Sequence, residues 1–329
     1  MTETKILIVI VCYRSADLVI DCLHSLAPQI DDVPGTRVEI CENGTGEESL
    51  AHLQAAIDMN RWSDWVSITP ISPNRGFAGG NNVVLGPALA SENPPRYLLL
   101  LNADTIVRPG AIRAMYDGLE AQPNVGILSP RLEWPDGTPQ GSAFLDFTPL
   151  HEFIKAAGTG TVTRLFKRGH GGMPLSDEPH HAEWVSFACA LIRREVFQKC
   201  GLLDEGYYLY YDDADYCRLT RQAGWDVLYY PLARVVHLRG RSNPAKSLAA
   251  EKRRRPRYWY ISRARYYAKF NGRGHLWLAN TMWWGGRLIS LARELVGNRA
   301  RSVCDKEGRD IWIHAWTPMK HHEPSDRQS

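Results

Sequence analysis

The 329-residue chain lacks any pair of cysteines at C-x-x-C spacing, and its seven cysteines are an odd number. Most of them sit inside apolar segments, so a disulfide framework and a zinc site are both disfavoured, and buried thiols in a reducing compartment are expected. The N-terminus Met1-Thr2-Glu3-Thr4-Lys5 has no signal-peptide pattern and runs straight into a strand-like segment, which predicts cytoplasmic residence. There is no internal repeat. An apolar fraction of 44% with 23% charged residues excludes a disordered chain. Acids are scarce in one place. Between Ala233 and Arg301, seventeen Lys and Arg face only Glu251 and Glu294, which leaves the remainder of the chain at −12. A basic block on an acidic body points to an anionic partner: nucleic acid, nucleotide phosphates or a membrane surface.

What is present alternates between strand and helix. Lys5 to Val11 is a continuous apolar run suited to a strand buried on both faces. Ser15 can cap a helix to Leu26, which Pro28 stops. Further strands are expected at Arg37–Glu42, Trp65–Ile71, Tyr97–Leu101 and Val125–Ser129, with helices from about Glu47, over Asn82–Ala90 and after Pro109. The fold class is therefore α/β, a mostly parallel sheet flanked by helices, with ligands beyond the carboxyl ends of its strands. The polar tips Cys12-Tyr13, Glu42-Asn43, Asn74-Arg75 and Asn102–Asp104 should converge there. Residues 130–183 read as a loop-rich insertion with a short helix near His151–Ala157. Next come a strand at Trp184–Ile192, a helix at Arg194–Cys200, an acidic helix, and two strands, Val227–Tyr230 and Arg234–His237, separated by Pro231. From Ser247 the chain is helical and basic.

Three segments can carry chemistry. Tyr210-Tyr211-Asp212-Asp213-Ala214-Asp215 places three carboxylates in four residues at a helix start, serving either as cap and dipole partner or as a general base. Asn102-Ala103-Asp104 ends a buried strand with a carboxamide and a carboxylate two residues apart, which is either an Asx turn or a seat for a divalent cation. Asn74 to Asn82 has three glycines and three asparagines in nine residues before a helix. It suits anion binding but fits neither G-x-G-x-x-G nor the Walker A pattern, which argues against a dinucleotide site or a P-loop ATPase. Glu42-Asn43-Gly44-Thr45 can contact a base or ribose, or simply turn the chain. His237 ends an apolar strand and is either a structural group or a ligand. The pairs His180-His181 and His321-His322 lack metal-site spacing.

In this order the motifs resemble the family 2 inverting glycosyltransferases with the GT-A fold, in the bacterial rhamnosyltransferase-like branch. The resemblance covers Lys5 to Ser242. It is carried by Cys12-Tyr13-Arg14, Asn74–Asn82, Leu101-Asn102-Ala103-Asp104-Thr105, and Leu209–Asp215 with Val235-Val236-His237. It implies a GT-A domain over 1–242 and a basic helical region over 243–329 ending in a flexible tail. Asp213 aligns with the catalytic base, with Asp212 as its alternative, and Asp104 with the principal ligand of Mg²⁺ or Mn²⁺. His237 is a further metal or diphosphate contact. Tyr13, Glu42, Asn74, Arg75, Gly76 and Asn102 fall at nucleotide-sugar positions, Glu42 where the family usually has Asp. The implied reaction moves a sugar, L-rhamnose from dTDP-L-rhamnose foremost, to a surface polysaccharide or lipid-linked oligosaccharide. A UDP- or GDP-hexose transferase and a catalytically silent sugar-nucleotide-binding scaffold are the alternatives.

The basic block mixes Lys252-Arg253-Arg254-Arg255-Pro256-Arg257 with Tyr258-Trp259-Tyr260, and then Leu276-Trp277-Leu278 and Met282-Trp283-Trp284 with Arg287 and Arg293. No nucleic-acid motif accompanies it, so nucleic acid is not the expected partner. The stretch is too interrupted to span a bilayer. It suits a helix lying in the interface of an anionic leaflet, at the inner face of the cell membrane, or one packed in its own core or a homodimer.

Overall fold

The computed structural model of the chain describes residues 4–166, 171–239, 245–297 and 302–319. The expected boundary after Ser242 and the His321-His322 pair lie outside them. In chain order the first elements are β1 (Ile6–Cys12), α1 (Ala16–Leu26), β2 (Thr36–Asn43), α2 (Glu47–Asn60), β3 (Val66–Ile71), α3 (Gly76–Ala90), β4 (Tyr97–Asn102), β5 (Thr105–Val107) and α4 (Ala111–Glu120). The middle of the chain forms β6 (Val125–Glu133), β7 (Ala143–Phe144), α5 (Pro149–Ala157), α6 (Gly160–Leu165), β8 (His180–His181), β9 (Trp184–Val185), β10 (Cys189–Arg193) and α7 (Arg194–Cys200). The last elements are α8 (Asp212–Gln222), β11 (Asp226–His237), α9 (Ala245–Ala250), α10 (Arg257–Gly297) and α11 (Glu307–Ile313). Two compact units share the chain. One comprises Met1–Phe144, Met173–Glu205 and Asp213–Ser242; the other comprises Leu145–Gly172, Gly206–Asp212 and Asn243–Ser329.

The first unit holds a sheet of order β3-β2-β1-β4-β10-β6-β11-β5, with β8 also on β11. The expected parallel pairing holds for β3-β2-β1-β4 and for β6-β11. It is broken by β10, antiparallel to β4 and β6, and by β5 and β8, antiparallel to β11. β10 returns from a long excursion instead of a helical crossover, so a parallel approach is not imposed on it. Ile8, Ile10, Leu23, Leu99, Met115, Leu128 and Leu191 belong to the buried core, as the continuous apolar strands require.

Three local expectations change. α3 begins at Gly76, six residues before the expected Asn82. The expected strand Trp184–Ile192 is two strands, β9 pairing with β7 and β10 entering the main sheet. Pro231 does not divide β11, because a register shift between Tyr230 and Arg234 accommodates a residue with no N–H to donate. Within the supposed insertion, β6 runs on to Glu133 and α5 forms as expected, with Thr148 accepting a bond from His151 N at 3.1 Å and Pro149 at the first helical position. The fully buried Glu133 carboxylate accepts from Arg108 Nε (2.8 Å) and Arg234 Nε (2.8 Å), tying the end of β6 to the residue after β5 and to β11.

The second unit is helical. α5 and α10 touch backbone to backbone at Gly286, where a Cβ would stand 2.1 Å from Phe153 O. α10 is broken at Gly272 (φ 78°). Its buried polar centre is Glu152 with Arg263 at 3.0 Å; Arg263 also donates to Asn280 Oδ1 (2.7 Å), and Tyr267 Oη donates to Glu152 at 3.2 Å. Burial alone would raise the Glu152 pKa, but the nearby Arg263, Lys155 and His151 charges and the Arg263 hydrogen bond together outweigh it and hold the carboxyl at about 2. Phe147, Tyr211, Trp259 and Tyr266 form an aromatic cluster, with Tyr211 centred 4.7 Å from Phe147. Among the described residues no helix is long and apolar enough to cross a membrane.

Candidate active site

Strand register decides which polar tips meet. Cys12 lies opposite Glu42 and Val11 opposite Asn102, so Tyr13, Glu42 and Asn102 leave the sheet at one edge. Asn43 Oδ1 accepts from Arg75 N at 2.9 Å and Asn43 Nδ2 donates to Gly76 O at 3.0 Å, which brings the start of α3 to the end of β2. Asn74 closes an Asx turn onto Gly76 N at 2.7 Å. The asparagine-glycine run is thus the first turns of α3, opening at the strand ends. Gly80 permits this, because a Cβ there would lie 2.8 Å from Val11 Cγ1. One turn on, Asn82 Nδ2 donates to Leu203 O (2.8 Å) and Leu203 N donates to Asn82 Oδ1 (3.1 Å). Arg75 pairs with Glu205 at 2.7 Å, so α3 anchors the segment Leu203–Glu205 at two points.

Glu42 is committed locally. Its buried carboxylate accepts from Thr45 N (2.9 Å) and Gly44 N (3.3 Å), the bonds of an ordinary turn.

Asp104 and His237 meet through the second half of the sheet. β5 pairs with the end of β11, Thr105 opposite His237, and Leu238 N donates to Asp104 O at 2.9 Å. Gln140 Nε2 holds the His237 carbonyl at 2.8 Å. The His237 Nε2 to Asp104 Oδ1 distance is 3.5 Å and both side chains are buried. Two donors held at about 2.1 Å from one cation lie roughly 3.0 to 3.5 Å apart. The pair therefore fits two ligands of one Mg²⁺ or Mn²⁺, an oxygen and an imidazole nitrogen. Among the described residues no third His, Cys, Asp or Glu gathers with them. That suits a cation whose coordination is completed by substrate phosphates and water.

Asp213 opens the first unit's part of α8. Arg221 Nε donates to Glu183 O at 2.8 Å, and Cys217 Sγ stands 4.0 Å from Val185 O. Ala188 O accepts from Asn102 N at 2.9 Å, at the strand end before Asp104. Asp213 is half-buried, with one carboxylate oxygen on Ala214 N at 2.9 Å, whereas Asp215 is buried. Asp212, also buried, is counted with the second unit. Tyr210 and Tyr211, just before it, are both left-handed (φ 70° and 68°), a conformation that costs a non-glycine residue about 1–3 kcal/mol.

Sequence reasoning missed Gln140, Trp134 and Arg239. Arg239 Nη2 donates to Gly141 O at 2.8 Å, its guanidinium carbon lies 6.0 Å from the centre of the Trp134 ring, and burial lowers its pKa from the ordinary value. Nothing in the aperiodic stretch after Pro130 marks these partners, and Arg239 is one cation among seventeen in its block.

Comparison with known proteins follows the same geometry. The profile of "Glycosyltransferase like family 2" matches residues 4–260. The N-acetylglucosaminyl-diphospho-decaprenol L-rhamnosyltransferase of Mycobacterium tuberculosis is 28% identical over 199 residues, covering 56% of this chain and 64% of its own length. A low-salt glycan biosynthesis hexosyltransferase of Haloferax volcanii is 24% identical over 197 residues, 59% of this chain and 60% of that one. The chain thus spans less than two thirds of these relatives. Among solved structures, a mannosyltransferase from Pyrobaculum calidifontis in complex with GDP-Man and Mn²⁺ superposes with a TM-score of 0.55 at 13% identity, over 92% of this chain and 78% of that one. S. aureus TarS superposes with a TM-score of 0.53 at 12% identity, over 96% and 80%. The sheet, its converging edge and the matched profile lead to one conclusion: the chain belongs to glycosyltransferase family 2 and has the GT-A fold.

Proposed function

We propose that the chain is a metal-dependent, inverting transferase that moves L-rhamnose from dTDP-L-rhamnose to a lipid-linked saccharide. The observation that carries this reading is the Asp104–His237 pair, set at the edge where Tyr13, Asn102 and the start of α3 converge. A divalent cation bound there supplies charge neutralisation for the departing nucleoside diphosphate. Asp104 and His237 hold that charge in a dry setting, where it counts for more than in water. Asp213 takes the proton from the acceptor hydroxyl as that oxygen attacks the sugar carbon, so one displacement suffices and no enzyme nucleophile is needed. Asn102, Asn74, Arg75 and Gly76 position the nucleotide sugar. Asp212 is the alternative base.

L-Rhamnose as the transferred sugar is supported by the name of the rhamnosyltransferase relative, which also names a diphospho-decaprenol-linked acceptor. A UDP- or GDP-hexose is the second reading, favoured by the GDP-Man complex among the structural relatives. An acceptor on a lipid places the work at a membrane surface, the inner face of the cell membrane. Trp277, Trp284, Leu288 and Leu295 support that placement: all four are exposed, and their spacing of seven, four and seven residues sets them on one stripe of α10. The test is nucleoside diphosphate release from dTDP-L-rhamnose, UDP-hexoses and GDP-mannose with Mg²⁺ or Mn²⁺, with and without polyprenyl-linked acceptor. Acceptor-dependent release from dTDP-L-rhamnose is expected. Release from no donor would leave the silent scaffold as the reading.

A further inference from the structure

The arginines around β5, β6 and β11 divide into two kinds. Arg108 and Arg234 spend their charge on Glu133, and Arg131 on Asp177 at 2.6 Å. Arg239, two residues beyond His237, has no carboxylate partner among the described residues. Its Nε is buried without a hydrogen-bond partner, while Nη2 is tied to Gly141 O and the guanidinium lies near the Trp134 face. A desolvated cation with no acid beside it is costly unless an anion joins it. The preceding residue is bonded through its backbone to Asp104, and Arg239 itself has a left-handed backbone (φ 32°). The guanidinium is thus held at the Asp104–His237 edge by contacts that leave part of its donor fork unused.

We propose that Arg239 is an anion-binding residue that takes a phosphate of the donor's nucleoside diphosphate beside the Asp104–His237 pair. This role presupposes the sugar-transfer reading above. A guanidinium suits it, because its planar fork can give two parallel bonds to phosphate oxygens and keeps its charge at any working pH. The charge would hold the diphosphate in the ground state and compensate the negative charge that grows on it as the sugar leaves. Trp134 and Gly141 act by aiming the fork.

Calorimetric titration of the full chain with dTDP, UDP, GDP and the three matching nucleosides, in Mn²⁺, tests it. The wild type should bind at least one diphosphate. Arg239→Gln, which removes the charge and the fork, should weaken that diphosphate about tenfold or more and leave the nucleoside affinity unchanged. Its diphosphate affinity should also depend less steeply on salt than that of the wild type. Equal diphosphate affinity in the two proteins overturns the role, and so does a loss shared by the nucleoside, which marks a structural residue. Arg239→Lys is the second variant, should Arg239→Gln not fold. Charge without the fork should cost the diphosphate about threefold and the nucleoside nothing; no loss, or a shared one, again overturns the role. A wild type that binds none of the three diphosphates brings down the sugar-transfer reading and Arg239 with it.

Discussion

Asp213 and Asp215 lie two residues apart in one acidic run, yet their surroundings differ. Asp215 is buried, while Asp213 is half-buried and accepts from the neighbouring Ala214 N. An acid that must take a proton from an incoming hydroxyl needs the second condition. Asp213→Asn preserves shape and removes the basic oxygen, so turnover should fall by about a hundredfold to ten-thousandfold while donor affinity stays within about twofold. Steady-state rates beside a donor titration check this, and unimpaired turnover would transfer the role to Asp212. The acidic triplet was plain in the sequence and the resemblance put the base at Asp213, but the difference in burial within it was not legible, because burial is set by what α8 packs on. Glu42 carries the same lesson. From sequence it was equally a nucleotide contact or a turn residue, and the structure spends its carboxylate on Gly44 N and Thr45 N.

α3 and α10 are where sequence patterns and packing part company. Glycine and asparagine argue against a helix interior, so the run Asn74–Asn82 read as loop. Close approach to Val11 and the bonds of Asn43 and Asn82 override that propensity and start the helix at Gly76. In α10 the count of basic residues overstated the free charge. Arg263 and Arg287 are buried, the first on Glu152 and the second paired with Glu294 at 2.6 Å. What faces solvent is the stripe Trp277, Trp284, Leu288 and Leu295, with Trp316 ringed against Trp277 at 6.0 Å and Arg273 exposed nearby in the chain. An interfacial helix buries such a stripe among acyl chains and keeps its cations at the headgroups. Trp277→Ser, Trp284→Ser and Leu288→Ser combined should abolish flotation with vesicles containing phosphatidylglycerol. Undiminished flotation would reject the membrane face, and a loss of dimer in sedimentation would assign the stripe to a second copy.

The arrangement of strands, helices and converging tips was legible from Lys5 to His237, since buried strands and capped helices announce themselves by apolar runs and turn residues. The composition of the two units was not. Leu145–Gly172 and Gly206–Asp212 join the C-terminal helices through partners distant in sequence, such as Glu152 with Arg263 and Phe147 with Tyr211. That buried pair sets an acid limit on stability. A carboxyl held at about 2 when folded and near 4.3 when unfolded stabilises the fold fully above about pH 5, and the contribution drains away as pH falls toward 2. The urea midpoint should therefore fall between pH 5 and 3 by the equivalent of roughly 1.5 kcal/mol, about half of the roughly 3 kcal/mol lost once pH is below 2. In Glu152→Gln, less stable at pH 7, this part of the pH dependence should vanish. A single displacement by one base across from a metal-bound diphosphate has one stereochemical outcome. The product formed from dTDP-L-rhamnose and a polyprenyl-linked acceptor, examined through its C1–H1 coupling by NMR, should carry the anomeric configuration opposite to that of the donor; a retained configuration would contradict the single displacement and the role given to Asp213.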